Sequence, residues 1–404
     1  MTDETPEPTP SQGESANGES KDRQADTFDG DRAPVTVGLH VGQLTQPIPG
    51  GIGRYVDALM HALPGHGAQL RTFASGSLDT TVLTAPLDPR VRHRDLGWPG
   101  PRWRYAAWHI LRSRTSPVDA QVIHAPSLAI PPHRDRPLAV TVHDLVFLTR
   151  PETLTRRGRT FHMKGFELAL READAIITPT TIVADHLINL GIAPERVARV
   201  PHGIAPPMPP LAPETERLAL SEMQVPAEYV LFVGTVEPRK GLPTMLKAFE
   251  AVRSQHPDLE LVIAGPPGWG DTADLDRSGV RRVGKVTDQR LATLYRNARA
   301  LVSLSLEEGF GFPVLEAQAY GCPALASAIP VHQEIAGPAA LLVPPRQPDA
   351  AAEALLTLLQ ESSADNAARR ALGIEHASGF TWEASARGHV DVYRRLAEER
   401  SGSL

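Results

Sequence analysis

The amino-acid sequence predicts two doubly wound α/β domains in tandem, and three observations carry that reading. Short apolar runs rich in Val, Ile and Leu alternate with stretches whose apolar residues recur at helical spacing. This is the pattern of parallel strands covered on both faces by helices. The alternation runs twice, interrupted by PPMPPLAP at 206–213, which has five prolines in eight residues. The length, 404 residues, is also more than one ordinary hydrophobic core holds.

In chain order, VTVGLHV (35–41) reads as the first buried strand. GGIGRYVDALMHAL (50–63) follows as a helix, with Ile52, Val56, Leu59 and Leu63 at helical spacing. VIH (122–124), LAVTVH (138–143) and AIIT (175–178) are the next strands. The proline run is stiff and marks a boundary. It separates a first domain, 34–205, from a second, 226–380, with 206–225 as a Pro-rich linker. In the second domain YVLFV (229–233), LELVIAG (259–265), RRV (281–283), ALVSL (300–304), PALAS (323–327) and ALLV (340–343) read as strands. Helices are expected near 242–254, 288–298, 313–320 and 349–360, and FTWEASARGHVDVYRRLAEE (380–399) closes the chain as a helix with a basic second half.

Hydrophobic residues make up 41% and charged residues 22%, a globular composition. Residues 1–32 hold nine acidic and three basic side chains, which accounts for the whole net charge of -6. The rest is balanced, so charge offers no argument for nucleic-acid binding. The polar, Thr/Ser/Gly/Pro/Glu-rich segment 1–33 reads as a disordered acidic tail, either a solubilising extension or a regulatory arm. The single cysteine, Cys322, leaves no intrachain disulfide and no cysteine cluster for zinc, and fits a reducing compartment. No run approaches the roughly eighteen apolar residues of a membrane span, and the acidic start does not read as a signal peptide. A cytoplasmic location is expected, with a peripheral position at the inner face of a membrane as the variant.

Three loops sit where ligands bind in open α/β sheets, beyond the carboxyl ends of strands and at helix N-termini. Gly50-Gly51-Ile52-Gly53 opens a helix with no capping side chain, which leaves its N–H groups for an anion or marks a tight turn. Its spacing is not GxGxxG. VGTVEPRKG (233–241) follows a strand, and Arg239 with Lys240 suits a diphosphate, although adjacent cations are often a solvated turn. EEGFGFPVLEAQAYG (307–321) places Glu308 in a loop and Glu316 in the first turn of a helix expected to start at Pro313. Phe312 is no capping residue, so the N–H groups of Val314, Leu315 and Glu316 are expected to be left for a ligand. Two carboxylates so placed can accept from separate hydroxyls of one ligand, while Gly309 and Gly311 let the backbone approach it. A carboxylate serving its own helix dipole explains Glu316 but not the whole segment.

SLEEGFGFPVLEAQAYGCPALAS resembles the E-x7-E signature of the retaining glycosyltransferases of family four, which have the GT-B fold. VGTVEPRKG resembles that family's donor-phosphate loop, and GGIGRY, TVHDL (141–145) and VPHGI (200–204) are similar to its other motifs. The resemblance covers about 34–400. It implies two Rossmann-like domains facing a cleft, the second holding a nucleotide-sugar donor and the first shaping the acceptor site. The final helix, 381–404, would cross back to the first domain. Carried over, Glu316 would bind the ribose, and Glu308 the hydroxyls of the transferred sugar with help from backbone amides around Phe310–Phe312. Arg239 and Lys240 would bind the diphosphate beside Gly234, with Gly51 and Gly53 closing from the other side. Gly309, Gly311, Val314 and Leu315 would line the donor site, and His143 would lie near the sugar.

The resemblance implies no cofactor and no metal, with a GDP- or UDP-sugar as substrate and a glycan, glycolipid or small molecule as acceptor. Asp274-Leu275-Asp276 has the D-x-D spacing of metal sites in another fold but sits in a Gly/Asp-rich loop, and metal binding is not expected there. WPGPRWRYAAWHILRSR (98–114) concentrates Trp98, Trp103, Tyr105 and Trp108 among four arginines. It fits a membrane-surface helix, an acceptor-site lining or a partly buried amphipathic helix. The competing functions are a GT-B epimerase or phosphorylase, and a catalytically silent nucleotide-sugar binder.

Overall fold

The computed structural model describes residues 33–46, 50–76, 78, 83–97, 103, 107–109, 117–133, 136–270 and 275–402. The acidic tail therefore lies outside the described residues apart from Ala33. Of 98–114, only Trp103 and 107–109 are described. Trp103 is exposed, whereas Trp108 is buried against Phe73 and His40.

The first domain's strands are β1 (Val35–His40), β2 (Ala68–Ala74), β3 (Arg92–Asp95), β4 (Val122–Ala125), β5 (Leu138–Thr141), β6 (Ala175–Thr178) and β7 (Val197–Arg199). They form one sheet of order β3-β2-β1-β4-β5-β6-β7, with each neighbouring pair parallel. Its helices are α1 (Gly50–Ala62), the single turn α2 (Val146–Thr149), α3 (Arg156–Glu172) and α4 (Thr181–Asn189). The second domain has β8 (Tyr229–Val233), β9 (Glu260–Ala264), β10 (Val280–Gly284), β11 (Ala300–Ser303), β12 (Ala324–Ser327) and β13 (Leu341–Val343) in the order β10-β9-β8-β11-β12-β13, again parallel. Its helices are α5 (Pro213–Glu222), α6 (Leu242–Arg253), α7 (Asp288–Asn297), α8 (Phe312–Ala319), α9 (Pro330–Ile335), α10 (Pro348–Gln360) and α11 (Ser363–Ala377). The final helix is α12 (Trp382–Ser401).

Both sheets are buried on two faces because successive strand residues point opposite ways. In β8, Tyr229 and Leu231 enter one core while Val230 and Phe232 enter another. In the first sheet, Val122 and Ile123 divide in the same manner. The stretch read as linker is extended only as far as Ala212. Pro213 then opens α5, because proline's missing N–H costs nothing in a first helical turn.

The chain returns to the first domain after Phe380. Ile204 N donates to Phe380 O at 3.0 Å, and Ile204 bridges Thr381 in parallel. From Trp382 onward the chain lies on the first domain, where Ala386, Val390, Tyr393 and Leu396 join the core of β1 and α1. A buried polar chain fixes α12 there. The Tyr55 hydroxyl meets Thr141 Oγ1 at 2.8 Å and His389 Nε2 at 2.7 Å, and the Tyr393 hydroxyl meets His124 Nδ1 at 2.8 Å. Among the described residues no helix is long and apolar enough to cross a membrane.

Candidate functional site between the two domains

The carboxyl ends of both sheets and the start of α8 meet around Glu308. The strand β8 ends at Val233, and the loop after it makes a 3₁₀ turn, Pro238–Lys240, that aims two cations back across the sheet. Gly241 caps that turn at φ +70, and a Cβ there would stand 1.9 Å from Leu304 O, so only glycine fits. Leu306 N donates to Arg239 O at 2.7 Å, which ties the turn to the segment leaving β11.

Glu308 is 8% exposed and held on both oxygens. Lys240 Nζ and Ser305 Oγ each reach Oε1 at 2.6 Å, and Arg239 Nη1 reaches Oε2 at 2.9 Å. Arg239 also donates from Nη1 to Glu307 O at 3.1 Å and from Nε to Glu237 Oε2 at 2.9 Å. Burial alone would favour the neutral acid, but Lys240 and Arg239 outweigh it and hold the Glu308 carboxyl well below the usual range. Burial likewise opposes charge on Arg239, and Glu308 and Glu237 reverse that, raising its pKa further. The sequence reading treated the cations and Glu308 as parts of separate loops; the fold makes them one hydrogen-bonded cluster.

Glu316 is the second charged centre. Its Oε1 takes Arg54 Nη1 at 2.5 Å and its Oε2 takes the Tyr295 hydroxyl at 2.9 Å. Burial, then Glu316, pushes the Tyr295 phenol well above its ordinary range, so it stays a donor. Arg54 comes from α1 of the opposite domain and also faces Asp288 Oδ1 at 3.5 Å. Gly51 lies at the start of the same helix, where a Cβ would stand 3.9 Å from the Phe312 ring, whereas Gly53, between Gly51 and Arg54, is buried. Gly234, at φ +143, lies beside Lys240: a Cβ there would be 3.8 Å from its Cε.

The start of α8 corrects one expectation. The helix begins at Phe312 with Gly311 as its N-cap at φ 91, one residue earlier than expected. The Glu316 N–H therefore falls inside the helical ladder, and Val314 N donates to Gly311 O at 3.1 Å. The amides left without a helical partner are those of Gly311 and Phe312. Glycine at 311, able to take a positive φ, lets the cap form one step sooner than the proline signalled.

His143 lies two residues past the end of β5. Its Nε2 meets Pro126 O at 2.8 Å and its Nδ1 meets His202 Nε2 at 3.1 Å. Burial lowers its pKa, so the ring is neutral at pH 7. Its carbonyl faces Gly309, where a Cβ would come within 2.0 Å of the oxygen, so glycine is what lets the two domains meet. Phe310 is 4% exposed and packs edge-on to Phe312. Further contacts cross between the domains. Thr149 Oγ1 donates to Glu307 at 2.5 Å, Trp269 Nε1 to Thr153 O at 2.7 Å, and Thr181 N to Glu334 Oε1 at 2.8 Å. Asp274 lies outside the described residues, and Asp276 pairs with Arg282 at 2.8 Å.

A family model described as "Glycosyl transferases group 1" matches residues 222–373, and one described as "Glycosyltransferase Family 4" matches 49–206. The O-antigen chain mannosyltransferase B of Escherichia coli is 30% identical over 288 residues, covering 68% of this chain and 74% of that one. The chain belongs to the group 1, family four glycosyltransferases. A D-inositol 3-phosphate glycosyltransferase of Kineococcus radiotolerans is 28% identical, covering 90% of this chain and 95% of its own. HepE of Anabaena, solved with UDP and glucose, superposes with a TM-score of 0.66 at 17% identity, covering 92% of this chain and 100% of that chain. The fold is GT-B and the protein is an enzyme.

Four residues that this glycosyltransferase places at its site escaped the sequence reading: Arg54, Tyr295, Ser305 and His202. Arg54 and His202 stand inside motifs already singled out, GGIGRY and VPHGI, where the glycines drew the attention. Tyr295 carried no signal, because at helical spacing it reads as core.

Proposed function

We propose that the enzyme transfers a hexose from a nucleoside-diphosphate sugar, a GDP- or UDP-sugar, to an acceptor hydroxyl. The reaction retains anomeric configuration and uses no metal. The observation that carries this is Glu308 gripped by Arg239 and Lys240 beside the two partnerless amides at the start of α8. Both cations would turn to the incoming diphosphate, leaving Glu308 to accept from sugar hydroxyls. Glu316 would exchange Arg54 for the ribose. The mannosyltransferase relative favours mannose as the sugar, and the UDP and glucose of the HepE complex keep UDP-glucose in the panel.

As the C1–O bond to the diphosphate breaks, its electron pair moves to the phosphate oxygen. Arg239, Lys240 and the Gly311 and Phe312 amides stabilise that growing charge; losing one such donor typically costs about 10²–10³ in rate. The acceptor oxygen attacks C1 from the same face and its proton passes to the departing phosphate oxygen. On this reading Glu308 is given to the sugar hydroxyls and Glu316 to the ribose, and neither is assigned as a nucleophile.

A thermal-shift panel of nucleoside diphosphates and their sugars names the donor, since a ligand of the folded state raises stability by mass action. Transfer from that donor, with the product anomer read by NMR, completes the test. An inverted product, or no shift with any member of the panel, would overturn the reading. Lys240→Ala and Glu316→Ala should each reduce transfer strongly while keeping the fold.

A further inference from the structure

His202 occupies the junction of the two domains, 1% exposed, and its ring touches both. It lies flat on Phe312, with centroids 5.5 Å apart and planes at 6°, and meets Phe310 edge-on at 5.1 Å. Tyr55 is 4.6 Å away, and Trp382, itself 6.3 Å from Phe312, is 6.2 Å away. Its Nε2 meets Nδ1 of His143 at 3.1 Å, while its own Nδ1 is buried with no partner among the described residues.

The proton positions follow from the acceptors. Pro126 O can only accept, so Nε2 of His143 carries a hydrogen. A neutral ring then has a bare Nδ1, which must accept, so the donor is Nε2–H of His202. That assigns the bare nitrogen of His202 to Nδ1, the atom found without a partner. Burial lowers the pKa of both rings, which keeps both neutral and the assignment unique.

We propose that His202 is a positioning residue: its Nε2–H holds the bare Nδ1 of His143, whose tautomer Pro126 O already sets, and registers that ring to the start of α8. The inference rests on the reading of His143 as the sugar-facing histidine. On that reading the N–H now given to Pro126 O is the one donor the His143 ring can offer a sugar hydroxyl. Because His202 is stacked on Phe312, the donor loop and His143 keep a fixed relation when the domains meet.

The test uses the full chain labelled with ¹⁵N-histidine, with His143 assigned from the spectrum of His143→Gln. In the wild type at pH 7.5, His143 should show a protonated Nε2 and a bare Nδ1. His202→Phe keeps the stacking ring and removes the donor; His143 should keep its Nε2–H, held by Pro126 O, while the ¹⁵N signal of its bare Nδ1 moves downfield on losing the hydrogen bond it accepts. Turnover of GDP-mannose or UDP-glucose should fall about tenfold or more in kcat with the donor KM little changed, since misplacement of a reacting group can cost about 100-fold. His202→Gln carries an amide N–H at the same reach and should restore both the Nδ1 signal and most of the rate. A wild-type His143 protonated on Nδ1, or an Nδ1 signal unchanged in His202→Phe, overturns the proposal. If His202→Phe fails to fold, the wild-type and His202→Gln spectra decide it. Failure of the wild type to turn over either donor would count against the proposed function, while the Nδ1 signal still decides the role of His202.

Discussion

Lys240 and Glu308 offer a direct test of whether the charged cluster exists in solution. Their charged atoms are 2.6 Å apart with side chains 11% and 9% exposed, so neither charge is well solvated. Lys240→Met keeps the length of the side chain and removes the charge. Glu308 would still have Arg239 at 2.9 Å and Ser305 at 2.6 Å, so the loss should stay below the ~3–5 kcal/mol of a wholly stranded buried charge. About 2 kcal/mol is expected, the scale of one hydrogen bond to a charged group. Glu308→Gln strands Lys240 outright and leaves Arg239 only Glu237 as a carboxylate partner, for a loss of about 3 kcal/mol. The double variant has neither charge of the pair, so its loss should fall short of the sum by about 2 kcal/mol. Urea unfolding of the four proteins at pH 7.5 measures this. Additivity within about 0.5 kcal/mol would refute the reasoning.

The same pair fixes the sign of an acid effect. Glu308 has a depressed folded pKa, so its contribution is fully present above the unfolded value, near pH 4.3, and drains away as pH falls below it. Lys240→Met raises the folded value, so the variant should lose less stability than the wild type between pH 6 and pH 3.

Arg54 is 45% exposed, so its pair with Glu316 is screened and worth at most about 1 kcal/mol. Arg54→Ala should leave the unfolding midpoint nearly unchanged and, by freeing Glu316 Oε1, tighten nucleoside-diphosphate binding up to about fivefold in calorimetry; weaker binding would show that Arg54 itself holds the ligand. Gly309→Ala places a Cβ 2.0 Å from His143 O, so the domains must part locally. The kcat/KM of transfer should fall at least about tenfold, as for other small misplacements at a reacting centre. Unchanged kinetics would mean that the contact is absent in turnover. His61 faces Asp57 O and Ala85 O at 2.8 Å each, and the side chain of Asp57 raises its pKa to about 9. Its contribution to stability is present below its ordinary pKa, near 6.5, and is lost as pH rises through about 9. NMR should find that titration, and Asp57→Asn should move it down.

Strands buried on both faces were legible almost to the residue: AIIT is β6 and YVLFV is β8, because unbroken apolar runs between turn residues have few other uses in a parallel sheet. The edge strand β3, RHRD, was not legible. Among the described residues one side of it has no neighbour in the sheet, its residues are largely exposed, and no apolar period marks it. The helix α5 is hidden in the sequence because its first residue, Pro213, continues the run of boundary prolines, although proline opens helices as readily as it ends them. At the site, Glu308, Glu316, Arg239 and Lys240 were each visible as residue types in suggestive loops. Their pairings were not, since Arg239 meets Glu308 across 69 positions and Arg54 meets Glu316 across 262. Only the tertiary fold brings those groups together.

The most direct measurement is calorimetric titration of the full chain with GDP and UDP, repeated with Lys240→Met. The wild type should bind at least one of them, and the variant should bind it at least about tenfold more weakly, the loss of a charge-assisted contact to phosphate. Binding of equal strength in the two proteins would contradict it.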